Sequence, residues 1–201
     1  AKAKAVLDAA GELPPMLAAA KALILSDAVP TDLSKVEADR RCGYAQLASM
    51  AFDLGHADKA EALLKLLQEA SPTCVEAFGE HIQVLIESGR GAEAGDLAKT
   101  ALERFAADSR ILSSAAAVHI AAGELAKAIP LLEKATRLDL KRRNPLRVLL
   151  GAVVRDPVLR AEQAKALTER LKATPDDTVV QFLLGVIHHY ENDFTASNDL
   201  L

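Results

Sequence analysis

The chain has 201 residues, of which 50% are hydrophobic but only 3% aromatic, and its formal net charge is −4. This composition excludes the basic excess of a nucleic-acid-binding domain, and no apolar run approaches the roughly 20 residues that a membrane-spanning helix needs. Two cysteines are too few for a disulfide framework, so they predict a reducing compartment and a cytoplasmic location.

Residues 1–40 predict an N-terminal cap that diverges from the rest of the chain. Ala3–Ala10 and Pro14–Ser26 predict a helix pair with Gly11 at its turn, and Asp27–Asp32 predicts a short linker. A longer helix is then predicted from Leu33 to Leu54. Terminal helix pairs of a repeat array are often atypical, because they have to cover the end of the stack.

A fixed interval of 34 residues organises the remaining chain. Gly55, Gly89 and Gly123 stand at this interval, and three alanines repeat it five positions later: Ala60, Ala94 and Ala128. Small residues that recur at such a period indicate stacked helix–turn–helix units. We therefore predict five units, the last one truncated, at residues 41–74, 75–108, 109–143, 144–177 and 178–201.

Proline and capping residues predict where helices end and begin. Ser71-Pro72 ends the second helix of the first unit. Thr73 and Glu76 then predict a capping box, in which the Thr hydroxyl accepts a free amide and the Glu reaches back. In the fourth unit, Asp156-Pro157 predicts the start of a helix that runs to about Ala173.

The units resemble tetratricopeptide repeats. The residues that carry this resemblance are Leu47-Ala48, Gly55, Ala60 and Pro72 in the first unit, and Leu184-Gly185 with the turn Asn192-Asp193-Phe194 in the last. The resemblance covers residues 41–201. It implies an all-α fold, a right-handed α-solenoid of tetratricopeptide-like helix–turn–helix repeats, whose working surface binds other proteins.

Two features depart from the family pattern. The position that usually holds an aromatic residue is occupied here by Ala51, Leu85, His119, Val154 and His188. Pro130 interrupts the second helix of the third unit, and it predicts a kink or a late helix start, because proline lacks an amide hydrogen and clashes one turn back.

Residues that often carry chemistry have structural explanations in this chain. Adjacent helical residues point about 100° apart, so His188 and His189 cannot chelate one ion. Cys42 and Cys74 are each predicted to be a buried, small apolar side chain, with a reactive thiol as the alternative. The basic run Lys141-Arg142-Arg143 is typical of a helix C-terminus. We predict no catalytic activity, no cofactor and no metal.

The resemblance also implies which residues contact a partner, because the first helix of each pair lines the concave groove of such repeats. Carried over position by position, the implied partner-binding residues are Phe52, Gln83, Ile86, Arg110, Ile120, Val148, Ala152, Arg155, Phe182, Val186 and His189. Ala45 and Ser49 replace the Lys and Asn of family members that clamp chaperone tails, so that ligand class is excluded.

The first helices of the fourth and fifth units are apolar nearly all round, and such helices have to be covered on every side. A partner's apolar segment or a later helix of the same chain would provide that cover. We therefore predict a protein-interaction scaffold that binds a peptide or amphipathic helix in its groove.

Two alternatives stay open. The chain ends at Leu201 within a predicted helix, which predicts a piece of a longer protein. The array could then be the regulatory or substrate-presenting arm of an enzyme, such as a transferase with a catalytic domain beyond Leu201. Self-association through the ends of the stack is the other alternative.

Overall fold

The computed structural model describes residues 41–139 and 157–200, together with Leu33, Val36 and Gly151. All regular structure in this part of the chain is α-helical. The helices are α1 (Gly43–Asp53), α2 (Ala57–Ala70), α3 (Val75–Glu87), α4 (Gly91–Arg104), α5 (Ser109–Ala121), α6 (Leu125–Leu138), α7 (Pro157–Ala173), α8 (Thr178–Tyr190) and α9 (Phe194–Leu200). Apart from Leu33 and Val36, the predicted N-terminal cap lies outside the described residues, as does the basic run after residue 140. The predicted helix from Leu33 to Leu54 is wrong at its start, because Leu33 and Val36 are not helical and α1 begins at Gly43.

The helices belong to two compact units, Ala1–Ala106 and Ala107–Leu201. In the first unit, α1 packs against α2 and α3, and α3 packs against α2 and α4. In the second unit, α5 packs against α6 and α7 against α8, which also contacts α6 and α9. An all-α fold of successive helix pairs is therefore observed, as the 34-residue interval predicts.

Alanine and leucine fill the contacts between the helices. Ala45, Ala48 and Ala60 have 0% exposure, as do Leu64 and Leu67 in the same core. Because alanine carries only a methyl group, helix axes can approach closely where it lines the contact. A separate core in the second unit contains these fully or largely buried residues: Ala116, Ala128, Leu132, Val180, Leu184 and Ile187.

The turn between the helices of a pair has one backbone geometry throughout. Gly55, Gly89 and Gly123 have φ of +89°, +75° and +75°, in the left-handed region that glycine reaches without strain. In each turn the amide after the glycine donates to a carbonyl five residues back, for example Arg90 N to Leu85 O at 2.9 Å. This is the Schellman arrangement that closes a helix C-terminus.

The last described turn keeps the geometry with a different residue. Asn192 has φ +61°, and it is the only non-glycine with positive φ among the described residues. The Asp193 amide donates to His188 O at 2.9 Å, which matches the glycine turns. Asparagine tolerates the left-handed region better than other residues with a Cβ, so Asn192 replaces the turn glycine.

We expect replacement of Gly89 by Ala to lower the free energy of unfolding by about 1 kcal/mol, because alanine is strained at positive φ. A Cβ at Gly89 would meet no atom within 4 Å, so this cost is conformational. Gly89→Asn should cost less than half as much. Urea denaturation of the variants measures both values.

Gly91→Ala is the matched control, because Gly91 lies two residues away, also has open space around its Cβ position and has no positive φ. This change should leave stability the same or slightly higher, since alanine has the better helix propensity. Equal costs for Gly89→Ala and Gly91→Ala would contradict the assigned turn strain.

Aspartate caps several helices, and the predicted capping box is wrong. Asp108 accepts from Arg110 N at 2.8 Å before α5, and Asp177 accepts from Val179 N and Val180 N before α8. Before α3 the N-cap residue is Cys74, whose side chain makes no cap hydrogen bond. The box fails because α3 begins at Val75, which leaves Thr73 exposed one residue before the cap.

Two expectations for prolines have different outcomes. Helix α7 spans Pro157–Ala173, so the predicted start and end are confirmed. Helix α6 begins at Leu125 and includes Pro130, so the late start is wrong. Pro130 is exposed and falls in the second turn of α6, where the helix continues despite the lost amide.

A polar network joins the first helix pair to the second. Arg90, which precedes α4, lies 2.5 Å from a Glu61 carboxylate oxygen on α2, and Lys65 lies 2.6 Å from the other oxygen. Hydrogen bonds from Arg90 and then Lys65 lower the pKa of Glu61 to about 2. The adjacent His81 is buried, and burial lowers its pKa. Gln68 Nε2 lies 3.1 Å from His81 Nδ1.

We expect Glu61 to contribute about 1 kcal/mol of stability, because ion pairs that are partly open to water are weak. Its folded pKa lies below the ordinary value of 4.5. The contribution is therefore complete above pH 4.5 and is lost as pH falls toward 2. Denaturation of the wild type and of Glu61→Gln across this range should give curves that converge at low pH.

The control for this measurement is Glu69→Gln, which removes an exposed carboxylate from the same helix. Because Glu69 is exposed, this change should alter stability at pH 7 less than Glu61→Gln does. A Glu61→Gln difference that stays constant between pH 4.5 and about 2 would show that Arg90 does not hold the pKa of Glu61 down.

Candidate partner-binding surfaces

Helix α3 has one buried face and one open face. Ala77, Phe78, Ile82 and Leu85 are buried toward the neighbouring helices. The open face carries Glu76, Gly79, Glu80, Gln83, Ile86 and Glu87, which are half-buried or exposed. Two residues implied by the resemblance, Gln83 and Ile86, therefore lie on the open side of α3.

Helix α1 runs beside α3 in a matching register. Cys42 and Cys74 precede the two helices with a Cα–Cα distance of 5.7 Å, and farther along, the Ser49 hydroxyl donates to the Glu80 carboxylate. Both helices therefore run in the same direction. We use the name N-terminal surface for Ser49, Asp53, Glu80, Gln83 and Glu87.

The N-terminal surface is acidic. Burial is the largest cause of a raised pKa at Glu80, and the negative charges of Asp53 and Glu87 raise it further against the effect of the Ser49 hydrogen bond. Gln83 Nε2 donates to Glu87 Oε1 at 2.5 Å. Asp53 and Glu87 are the last residues of α1 and α3, where the helix dipole is also negative.

Phe52 has a mixed position beside this surface. It is half-buried and packs against the core of the first unit.

The sequence analysis did not predict the acidic residues Asp53, Glu80 and Glu87 as binding residues, although Glu76, Glu80, Gln83 and Glu87 follow the spacing of one helix face. Their sequence pattern indicates a polar stripe but does not reveal partial burial.

The residues implied on α5 are engaged within the second unit. Arg110 is half-buried, and its guanidinium bonds Asp108 at 3.1 and 2.9 Å. Hydrogen bonds from Arg110 lower the pKa of Asp108, although burial, the largest single effect, opposes them. Ile120 is half-buried and packs against the core of the second unit. Both residues therefore support local structure.

Helix α8 has an apolar open face. Phe182 is 38% exposed, Val186 is half-buried and His189 is exposed. The His189 ring contacts Phe194 and Tyr190 edge to face, with centroid distances of 5.3 and 6.3 Å. We use the name C-terminal surface for these five residues. Three residues implied by the resemblance thus lie together on this surface.

The other face of α8 is buried, and it carries Val179, Val180, Leu183, Leu184 and Ile187. The described helices therefore cover α8 on one side only. The remaining implied residues of the fourth unit, Val148, Ala152 and Arg155, lie outside the described residues.

The cysteine prediction is wrong. Cys42 and Cys74 are joined by a disulfide instead of being separate buried side chains. They are separated by 32 residues, close to one repeat, so the fold brings the start of one helix pair next to the start of the following pair. The sequence spacing alone resembles no redox or metal motif, which is why the pairing was missed.

These cysteines also belong to a potential metal-ligand group. Cys42, Cys74 and Glu76 place one ligand atom each within 4.8 Å of one another, and no other group of three is found among the described residues. The Cys74 sulfur lies 3.8 Å from Glu76 Oε2. A disulfide has no thiolate to coordinate an ion, so the oxidised pair does not fit a metal.

No helix within residues 41–139 or 157–200 is both long and apolar enough to cross a membrane.

Comparison with known proteins places the fold. No protein-family model matches the chain, and no curated protein is similar to it. The solved structure from the functional characterisation of PilF of Pseudomonas aeruginosa has a TM-score of 0.55 at 16% identity, covering 81% of this chain and 73% of that chain. A structure of Naa15/Naa10 bound to HypK-THB has a TM-score of 0.59 at 16% identity and covers 80% of this chain.

This chain spans 24% of the matched Naa15/Naa10 chain. YrrB, described as a TPR protein with an unusual peptide-binding site, has a TM-score of 0.48 at 14% identity, covering 93% of this chain and 89% of that one. The helix pairs, their glycine turns at a 34-residue interval and the two likenesses above a TM-score of 0.5 show that this chain has a tetratricopeptide-like, all-α solenoid fold.

Proposed function

We propose that this chain is a non-catalytic scaffold whose first helices bind a peptide or helix of a partner protein. The N-terminal surface carries this proposal, because it holds a half-buried carboxylate whose described charged neighbours, Asp53 and Glu87, are both acidic. In the same unit, the Glu61 carboxylate is instead paired with Arg90. The similarities to solved structures at 16% identity concern the fold, and they do not assign an activity or a ligand to this chain.

The chemistry of the N-terminal surface favours a basic segment. A Lys or Arg side chain near Glu80 would offset the repulsion from Asp53 and Glu87 and make a charge-assisted hydrogen bond. Binding would also lower the pKa of Glu80, since a nearby cation favours the charged carboxylate. Apolar contacts from the half-buried Ile86 would add to the affinity.

We expect a short lysine- and arginine-containing peptide to bind the chain more tightly than its glutamate-containing counterpart. Glu80→Gln should weaken binding of the basic peptide roughly 5- to 10-fold, equivalent to about 1 kcal/mol. Fluorescence anisotropy at two salt concentrations measures this effect. Affinity should fall with added salt, because surface charges are screened.

Glu103→Gln is the control, since it removes an exposed carboxylate from α4 in the same unit. It should leave the affinity within about twofold of the wild type. Equal weakening by both variants would reduce the effect to net charge and would remove the case for a defined acidic site.

The C-terminal surface offers a different contact. Phe182, Tyr190 and Phe194 are 38%, 57% and 52% exposed, and Val186 lies on the same side of α8. Apolar side chains at i and i+4 on an open helix face are suited to the apolar face of an amphipathic helix. We propose that this surface supplies the apolar part of partner binding.

Phe182→Asp should abolish capture of partner proteins from a native extract without unfolding the chain. The reason is that a charge would be placed in an apolar contact. Capture followed by mass identification measures the loss, and circular dichroism verifies the fold. Leu138→Asp is the control, since Leu138 is 47% exposed at the end of α6. Retained capture by a folded Phe182→Asp variant would contradict this assignment.

The second candidate function is the repeat arm of a larger enzyme. The supporting observation concerns size: this chain covers 24% of a much longer matched chain, so a unit of this length can be part of a larger protein. Reading the surrounding open reading frame tests it, and a stop codon soon after Leu201 would remove it.

Self-association is the other alternative, and light scattering across a concentration series tests it.

The cellular compartment is a separate proposal. The cysteine count predicts a cytoplasmic location, whereas disulfides persist mainly in oxidising compartments. The Cys42–Cys74 bond therefore removes the cysteine argument for the cytoplasm. Cytoplasmic location stays a prediction that fractionation of the native cells can test.

A further inference from the structure

The disulfide joins equivalent ends of two neighbouring helices. Cys42 is the N-cap residue of α1, and Cys74 is the N-cap residue of α3. The closed loop contains the whole first helix pair, and it connects the N-terminal ends of α1 and α3. The bond therefore fixes these two helices to each other at one end of their contact.

The residue type at these positions is a second observation. Asp108 and Asp177 occupy the corresponding N-cap positions before α5 and α8, where they accept backbone amides. Neither cysteine makes a side-chain cap hydrogen bond. An aspartate cap typically stabilises a helix more than an apolar residue does, so sulfur chemistry accounts better for cysteine at both places.

The two sulfur atoms differ in their access to solvent. Cys74 is 2% exposed, whereas Cys42 is half-buried. Cys42 is therefore the more accessible of the two residues to a thiol from solution. Both cysteines lie at helix N-termini, which stabilise a thiolate, so Cys74 can leave in the first step of the exchange and Cys42 in the second. The carboxylate of Glu76, near Cys74 Sγ, opposes this effect.

We propose that Cys42–Cys74 is a reversible redox site that a dithiol reductant opens by attack at Cys42. The attacking thiolate forms a new S–S bond to Cys42 Sγ, and Cys74 Sγ takes the electron pair of the broken bond. The second thiol of the reductant then attacks the reductant's first sulfur, which is bonded to Cys42, and displaces Cys42 Sγ. The reductant becomes a cyclic disulfide, and two electrons and two protons are transferred to the two protein sulfurs.

Opening the bond should loosen the contact between α1 and α3. Closing a loop of this length stabilises mainly by restricting the unfolded chain. For a chain of about 200 residues, loss of the bond corresponds to a fall in Tm of roughly 5–10 °C. The remaining contacts of α1 with α2 keep the helix in place, so the reduced protein should stay folded.

The first experiment uses the wild-type chain and dithiothreitol as the reductant. Thiol titration in denaturant should find no free thiol before treatment and two after treatment of the native protein, with the expected fall in Tm. The Cys42→Ser/Cys74→Ser double variant is the control, and its Tm should not respond to dithiothreitol. Two free thiols before treatment, or a bond that resists dithiothreitol in the native state, would overturn the proposal.

The second experiment tests the site of attack with glutathione as a monothiol probe. Brief exposure of the oxidised protein, followed by acid quenching and peptide mass analysis, should find glutathione on Cys42 with Cys74 free. Glutathione on Cys74 would overturn the assigned direction. This result does not depend on partner binding, so it can fail or succeed independently of the proposed scaffold function.

Discussion

The left-handed turn between paired helices is the constraint on which the rest of the structure depends. It ends each first helix by the same pair of backbone hydrogen bonds and reverses the chain within a few residues. The second helix then returns along the first, and alanine at the contact allows close packing. A first helix such as α3 thereby contacts its own partner α4 and the preceding α1 and α2, and one face stays open.

This arrangement separates the charges that stabilise the fold from those that remain free to bind. Glu61 pairs with Arg90, Glu133 with Arg170 and Asp177 with Arg137. Each ion pair connects two different helix pairs. The pKa of Glu61 and that of Asp177 are lowered accordingly. At Glu80 the same chemical group has a raised pKa, because it is partly buried beside two other acids. The open face therefore retains unfavourable electrostatic energy that a cationic ligand can relieve.

The period of the sequence predicts much of the fold, because each turn requires a residue that tolerates positive φ. Gly55, Gly89, Gly123 and Asn192 satisfy that requirement and can be recognised without coordinates. The fold class and the extent of α7 follow from the same reasoning. The helix caps were harder to predict, because a shift of one residue at Val75 moves the cap from Thr73 to Cys74.

The surfaces were only partly predictable from the sequence. The resemblance implies Gln83, Ile86 and Phe182 at positions that the structure leaves at least partly open. It also implies Arg110 and Ile120, which are occupied in local contacts that depend on the neighbouring Asp108 and on the core of the second unit. Neither type of contact follows from repeat position, since both depend on residues outside the family pattern.

The disulfide and two carboxylates of the N-terminal surface, Asp53 and Glu87, lie at opposite ends of the same two helices. Cys42 and Cys74 precede α1 and α3, whereas Asp53 and Glu87 end them. These helices are 11 and 13 residues long, which corresponds to about 16–20 Å at 1.5 Å per residue. The disulfide is therefore too distant to contact a ligand side chain at Asp53 or Glu87, and Glu80 lies about 9 Å from Cys74 along α3. Any influence on binding must be transmitted through the relative position of two rigid helices, and α2, which packs against both, limits how far that position can change.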